Sequence, residues 1–309
     1  METKRVLVVG ATGHLGQTFP AALRERGHEV SILLRPETAQ TADSRKRALI
    51  DAHVSAGARI VAGSLDDDAS LDAACADADA VISALTGEQL FLQPALAAAA
   101  ARSGRVRRFF ASEWGGDPFL AAKGTVALQD WKRDLHGPLD ASGVPMTYVY
   151  SNAFATYWAA SLGQLGLSRP PEHEITVFGD GTTKIALVTP GDIATLTVRM
   201  LDDDRTVGRE VAIAFAENLL SQNDLITLWE SISGRTLTRN VVSPAALDAS
   251  VAALAAQPDQ MMNLIFTQLM KSAWIDGTLG GVRDGVLDAA TLYPDFRYER
   301  IGTFLEQFR

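Results

Sequence analysis

Two hydrophobic periodicities alternate along the first half of this chain, and that alternation narrows its fold more than any other feature. Short aliphatic and β-branched runs at residues 5–9, 30–34, 59–62, 80–84, 107–111 and 146–150 read as strands of a parallel sheet. A strand covered on both faces is apolar throughout rather than at every second position. Between these runs, Ala- and Leu-rich stretches at 15–26, 44–56, 70–75, 91–103 and 125–139 carry helical spacing. Alternation repeated this often predicts an α/β fold, a doubly wound parallel sheet with helices on both faces. One local rule is broken: Pro20 falls inside the first predicted helix, where it is expected to delete a hydrogen bond and kink the axis.

After about residue 151 the alternation lapses. Ser168-Arg-Pro-Pro and Phe178-Gly-Asp-Gly are loop and turn signals. Residues 185–188 and 211–215 read as further strands, and 192–201, 222–233 and 244–256 as helices. The expected organisation is a first domain of residues 1–152 plus about 187–215, and a smaller, discontinuous lobe of 153–186 and 216–309.

Composition removes several classes of function. Apolar residues make up 47% and charged residues 21%, ordinary globular values. A net charge of -9 repels phosphate backbones and speaks against a nucleic-acid partner. The single cysteine, Cys75, excludes a disulfide framework, fits a reducing compartment and reads as a small core residue. The chain runs from Met1 almost directly into its first strand with no signal-peptide pattern, and its longest tempting apolar stretch, 94–101, is too short for a bilayer. The expectation is a soluble, cytoplasmic protein without a membrane partner. No His/Cys/Asp spacing suggests a metal site. The acidic triplets Asp66-Asp-Asp and Asp202-Asp-Asp read as solvated caps or turns.

Gly10-Ala-Thr-Gly13-His-Leu-Gly16 follows the first strand and is expected to open the first helix. Gly10 permits the tight turn out of the strand, Gly13 lets the backbone approach a pyrophosphate, and Gly16 allows close packing on the sheet. With Thr12, His14 and Leu15 the turn forms a candidate dinucleotide cradle, with His14 packing over the phosphates. Three glycines also make a plain tight turn, and it is the place after an N-terminal strand that favours a Rossmann-type nucleotide site. The second strand then ends Leu33-Leu34-Arg35-Pro36. An NAD enzyme keeps an acid there for the ribose 2′-hydroxyl, whereas a guanidinium clamps a 2′-phosphate. Arg35 therefore predicts NADPH, with Arg45, Lys46 and Arg47 as reinforcement. The rival reading makes Arg35 a solvated loop residue and gives the ribose to Glu37.

With those residues in hand, the chain resembles the isoflavone reductase-like branch of the NmrA-like atypical short-chain reductases. The likeness spans nearly the whole sequence. It rests on the glycine turn, Val81-Ile-Ser-Ala, Arg107-Arg-Phe-Phe-Ala-Ser-Glu-Trp-Gly115 and Pro145-Met-Thr-Tyr-Val-Tyr-Ser-Asn-Ala-Phe154. Pro170-Pro, Val177-Phe-Gly-Asp-Gly181, Gly191-Asp-Ile and the closing Leu292-Tyr-Pro-Asp-Phe-Arg-Tyr298 extend it. The resemblance implies an NADPH-dependent reductase of an aromatic, phenolic small molecule, and a homodimer. It places the acid/base lysine at Lys132, in Asp130-Trp-Lys-Arg, and a substrate-facing tyrosine at Tyr157. It also assigns Asn152 and Phe154 to the cofactor. Where the family carries an arginine pair, this chain has His136-Gly137; Trp114 stands for a phenylalanine, and the 250–285 region matches poorly.

None of the five tyrosines is followed by lysine four residues on, so the Tyr-x-x-x-Lys pair of ordinary short-chain dehydrogenases is absent. Lys132 shares a helix face with Leu128 and Leu135, and desolvation beside that stripe is expected to tune its amine toward neutral pH. From spacing alone, a solvated surface lysine is the commoner case. Ser112 and Glu113 close the fifth strand at the edge where open α/β sheets bind ligands, so they are candidates for nicotinamide or substrate, with Thr86 and Gln93 weaker ones. Trp114, Phe154, Tyr157 and Trp158 suit a flat substrate. For Phe154 and Trp158, four apart, a core face and a pocket wall both stand. His136 is a candidate relay or a surface residue; His28 and His53 read as loop or surface residues. Two further functions stay open: a non-catalytic NADP-sensing regulator, and a quinone or imine reductase.

Overall fold

A computed structural model describes residues 2–309; Met1, counted in the first expected domain, lies outside them. The strands in chain order are β1 (Arg5–Val9), β2 (Glu29–Leu34), β3 (Arg59–Ala62), β4 (Ala80–Ser83), β5 (Arg108–Phe110), β6 (Met146–Tyr150), β7 (Ala153–Phe154), β8 (Glu174–Phe178), β9 (Lys184–Val188), β10 (Arg209–Ala212), β11 (Leu219–Ser221), β12 (Thr238–Val242) and β13 (Leu287–Asp288). The chain divides into two compact units. One runs from the N-terminus to Trp114 and includes Asp134–Val149 and Ile193–Val211; the other holds Gly115–Arg133, Tyr150–Asp192 and Ala212–Arg309.

In the first unit the strand order is β3-β2-β1-β4-β5-β6-β10. β1 pairs in parallel with β2 and β4, β2 with β3, β4 with β5 and β5 with β6. Successive crossovers run one way from β1 to β3 and the other way from β4 to β6, so the order reverses between β1 and β4. That is the switch point at which doubly wound sheets bind ligands. The apolar runs explain the layer: Val6, Leu7, Val8 and Val9 are all at most 2% exposed. Burying each such side chain is worth roughly 1.5–3 kcal/mol. Helices Ser44–Ser55, Asp68–Cys75 and Gln93–Arg102 form the crossovers between the early strands, and Cys75 is buried among them, its thiol pushed up to about 11 by burial. Asp67 caps the second of these helices, as an acidic cap should.

The first helix departs from expectation. Residues 16–18 form a single 3₁₀ turn, and the α-helix runs only over Phe19–Glu25. Pro20 thus stands in the first turn, where its missing N–H would have no intrahelical partner anyway, and it kinks nothing. A buried guanidinium closes the far side of this unit. Arg108, 4% exposed, donates to the carbonyls of Met200 and Asp203 and to the Thr206 hydroxyl, fastening the end of helix Pro190–Leu201 to β5.

In the second unit β9 lies between β7, parallel to it, and β11, antiparallel. β8 pairs in parallel with β12. Sequence reading missed β8, β12 and helix Met261–Trp274. β12 is exposed along four of its five residues and shows no apolar period. The core collects around Trp158 and Trp274, whose rings meet edge-on with centroids 5.8 Å apart, together with Trp229. Helix Gln222–Ser233 has the expected bounds because its ends are signed by a Ser221–Asp224 capping box and by Gly234 at φ 69°.

Candidate active site

Gly10 leaves β1 at φ 87°, conformationally open to glycine. A Cβ on it would collide with the carbonyl of Ala84, the residue after β4, and a Cβ on Gly16 would collide with the carbonyl of Gly10. The turn is therefore folded tightly onto itself and onto β4, at the switch point. The Gly13 N–H donates to the Gly10 carbonyl (2.9 Å), and the Thr18 hydroxyl donates to the Leu15 carbonyl (2.7 Å). Because the helix starts late, this cradle is a backbone turn followed by a 3₁₀ turn, not the expected first turn of a long helix. Leu15 is buried beneath it, Thr12 is half-buried, and His14 is exposed at its rim. Burial and the charge of Arg45 both lower the His14 imidazole's pKa, which favours its neutral form.

At the end of β2 the two rival ribose residues touch each other: Arg35 Nε is 3.3 Å from Glu37 Oε1, both well exposed. An ion pair this exposed is worth about 0–1 kcal/mol, so Glu37 holds the guanidinium only weakly.

Several residues expected to face a ligand also bond to the frame. Ser112, 2% exposed, takes the Leu85 N–H on its hydroxyl (2.7 Å), shares a proton with the Ser83 hydroxyl (2.9 Å), and gives its own N–H to Gln93 Oε1 (2.7 Å). Ser112 and Gln93 thereby fix the ends of β4 and β5 beside the switch point. Trp114 donates Nε1–H to the Ser83 carbonyl (2.7 Å) and packs its ring 5.1 Å from Phe19. Thr86 is exposed on the loop after β4. Glu113, expected against nicotinamide or substrate, is 1% exposed and lies 3.4 Å from His136 Nε2. His136 is not a surface residue: its ring stacks on Tyr148 with centroids 4.0 Å apart. The Tyr148 hydroxyl donates to Asp140 (2.7 Å), and burial, that bond and the nearby charges of Asp140, Glu113 and Glu210 raise its pKa.

In the second unit, Lys132 is 6% exposed, the one buried lysine among the described residues. On helix Ala127–Asp140 it belongs to a buried stripe with Gln129, Leu135 and Leu139, and Leu128 beside it is half-buried. Burying an ammonium is costly, so a lysine held there by chance is selected against by folding itself. Asn152 adopts φ 55°, a conformation asparagine tolerates, with its N–H on the Gly115 carbonyl (2.8 Å) and its Nδ2 on the Ile213 carbonyl (3.0 Å). Its Oδ1, fully buried, has no protein donor. Phe154 is half-buried and stacks on Tyr157, centroids 5.9 Å apart; Tyr157 is 44% exposed, and burial raises its hydroxyl's pKa. Trp158 is 6% exposed and packs edge-on against Trp274 in the core cluster.

A surface groove of about 500 Å³, lined by Arg5, Arg24, Glu29, Arg59 and Asp77, opens at the opposite, N-terminal ends of β1–β3. Arg5 there is already matched by Asp77 and Asp79. Among the described residues no cluster of metal-ligating side chains occurs, and no helix is long and apolar enough to cross a membrane.

Residues 2–304 match the NmrA-like family. A phenylcoumaran benzylic ether reductase of Ginkgo biloba is 34% identical over the full length of both chains. The chain belongs to the NmrA-like family. Pinoresinol reductase 1 of Arabidopsis thaliana is 32% identical, with 99% of this chain and 98% of that one covered. Among solved structures, AtPrR2 with NADP+ and (+)pinoresinol superposes at a TM-score of 0.90 and 31% identity over 100% of both chains. An NmrA-like fold with this sheet order and a glycine turn at its switch point agrees with the Rossmann-type architecture expected from the sequence. Sequence reading missed two features of the site. His53 and the Glu113–His136–Tyr148 stack carry no motif, because a lone histidine reveals nothing of the packing around it.

Proposed function

We propose that this chain is an NADPH-dependent reductase of aromatic, phenol-bearing small molecules, with Lys132 as general acid/base. The observation that carries the reading is the burial of Lys132 alone among the lysines, on a helix face otherwise filled by Gln129, Leu135 and Leu139. The full-length likeness to benzylic ether and pinoresinol reductases supports the substrate class. The glycine cradle, where a Cβ at Gly10 or Gly16 meets backbone, fits a dinucleotide pyrophosphate, and the displaceable Arg35 fits the 2′-phosphate. In this reading Gly10 to Gly16 and Arg35 of the first unit are the cofactor elements. The buried, unpartnered Oδ1 of Asn152 suits a ligand amide or hydroxyl.

When bound, NADPH supplies a hydride. Lys132, as the free amine, takes the proton of the substrate's phenol. The electrons of that oxygen then expel the benzylic C–O bond, leaving an electrophilic benzylic carbon to be reduced and an alkoxide or phenoxide that takes a proton from solvent. Lys132 afterwards returns its proton to the phenolate, so the amine is regenerated. Tyr157, kept protonated by burial, serves as hydrogen-bond donor to the substrate. For an enone acceptor the path reverses: Lys132, as the ammonium, gives its proton to the enolate left by hydride addition. A quinone or imine substrate would need no phenol activation, and a non-catalytic NADP sensor would need no buried lysine. The single buried cysteine accords with a reducing, cytoplasmic setting.

The test is Lys132→Ala, assayed with pinoresinol and with phenylcoumarans. Turnover should fall at least about a hundredfold while NADPH affinity holds, as for a lost acid–base group. Turnover within a few-fold of the parent removes Lys132 from the chemistry. Absence of any reductase activity across phenolic, enone, quinone and imine panels, with NADPH still bound, favours the sensor.

A further inference from the structure

Helix Ser44–Ser55 contacts the glycine turn near its C-terminal end. At its start Arg45 is close enough to His14 to lower that imidazole's pKa. At its end, eight residues and about 12 Å further along the axis, His53 reaches the turn itself. Its Nε2 lies 3.2 Å from the carbonyl oxygen of Ala11, with His53 7% exposed and Ala11 fully buried. A carbonyl only accepts, so the ring must present Nε2–H there.

We infer that His53 is a positioning residue for the dinucleotide: by holding the Ala11 carbonyl it aims the following peptide N–H of Thr12 outward from the turn. The reason is covalent. In a trans peptide the C=O of one residue and the N–H of the next point in opposite directions within one plane. With Gly10 turned to φ 87° against Ala84, the peptide that follows has no strand partner to orient it. The imidazole supplies that orientation from a separate element, and the Thr12 N–H is thereby committed to the face away from the helix. Among uncharged side chains of similar length, glutamine also carries an N–H donor, its Nε2.

This inference rests on the NADPH reading, and the experiment separates the two. NADPH binding is measured by titration calorimetry on the apo chain, its His53→Phe variant and its His53→Gln variant, with thermal melts of each. The phenyl ring fills the space but donates nothing; its NADPH affinity should weaken about tenfold, as for one lost hydrogen bond to an oriented group. The glutamine variant should bind within about twofold of the parent. In turnover, the KM for NADPH should rise in H53F with kcat unchanged. Should H53F not fold, His53→Leu carries the same comparison. Affinity in H53F equal to the parent's, or a loss in H53Q as large as in H53F, overturns the inference while leaving the reductase reading intact. A parent chain that binds no NADPH overturns both.

Discussion

The Nε2 atom of His136 stands 3.4 Å from Oε1 of Glu113, a carboxylate only 1% exposed. A carboxylate that deep depends on its polar neighbours, and removing one member of such a pair leaves the other's desolvation uncompensated. His136→Ala should therefore destabilise the chain by about 1–3 kcal/mol, beyond the lost stacking on Tyr148. Adding Glu113→Gln to that variant should recover part of the loss, because an amide asks less of its surroundings. Denaturant unfolding of the two single variants and the double variant measures the coupling; strictly additive losses would mean the two residues do not interact.

Arg35 makes a second prediction, on cofactor choice. Arg35→Ala should weaken NADPH by about tenfold or more, the worth of a charge-assisted contact, while NADH changes little. Glu37→Gln, which frees the guanidinium from its 3.3 Å partner, should leave NADPH binding unharmed or slightly tighter. Calorimetry with both dinucleotides decides it, and equal weakening of the two would assign Arg35 to the loop alone.

Asp192 predicts a pH dependence of stability. Its Oδ2 accepts the Thr189 hydroxyl (2.9 Å) and the Glu299 N–H (3.1 Å), yet burial raises its pKa to about 6. Raised above the ordinary value of 3.8, this carboxyl binds more protons in the folded chain than in the unfolded one. Its contribution is therefore greatest at low pH and is lost as pH climbs from about 4 to 6. Asp192→Asn keeps an acceptor without the charge and should be stabilising above pH 6 by up to about 3 kcal/mol, with the advantage shrinking toward pH 4. Melting curves of both chains across that window test it; an advantage that does not vary with pH counts against the assignment.

The strands of the first unit were legible because burial on both faces leaves an uninterrupted apolar signature, as at Met146–Tyr150, whose five residues are all buried. Helix Gln222–Ser233 was legible from its caps. The glycine turn was legible as a motif, but not the delay of its helix to Phe19, which the sequence disguised by placing Pro20 in an otherwise helical pattern. Lys132 became a candidate through family likeness, since its burial depends on partners no local pattern describes. His28 and His53 were read as loop or surface residues, and His136 as a relay or a surface residue. His28 is 1% exposed, receiving the Lys4 N–H (3.2 Å), and its Nε2 is 3.5 Å from Asp202. Such pairings join residues far apart in sequence, and spacing rules see only neighbours. The same distance hid the meeting of two recognisable motifs, Gly191-Asp-Ile and the C-terminal tyrosine-rich stretch, through the Asp192–Glu299 bond.

The clasp made by Arg108 bears on how this protein can be cut. Its acceptors at Met200, Asp203 and Thr206 lie nearly a hundred positions downstream. An N-terminal fragment ending near residue 152 would keep the guanidinium and lose every one of them, along with β10. The first unit is contiguous in space but not in the gene, so expressing it alone calls for splicing the later segment back in rather than for a stop codon.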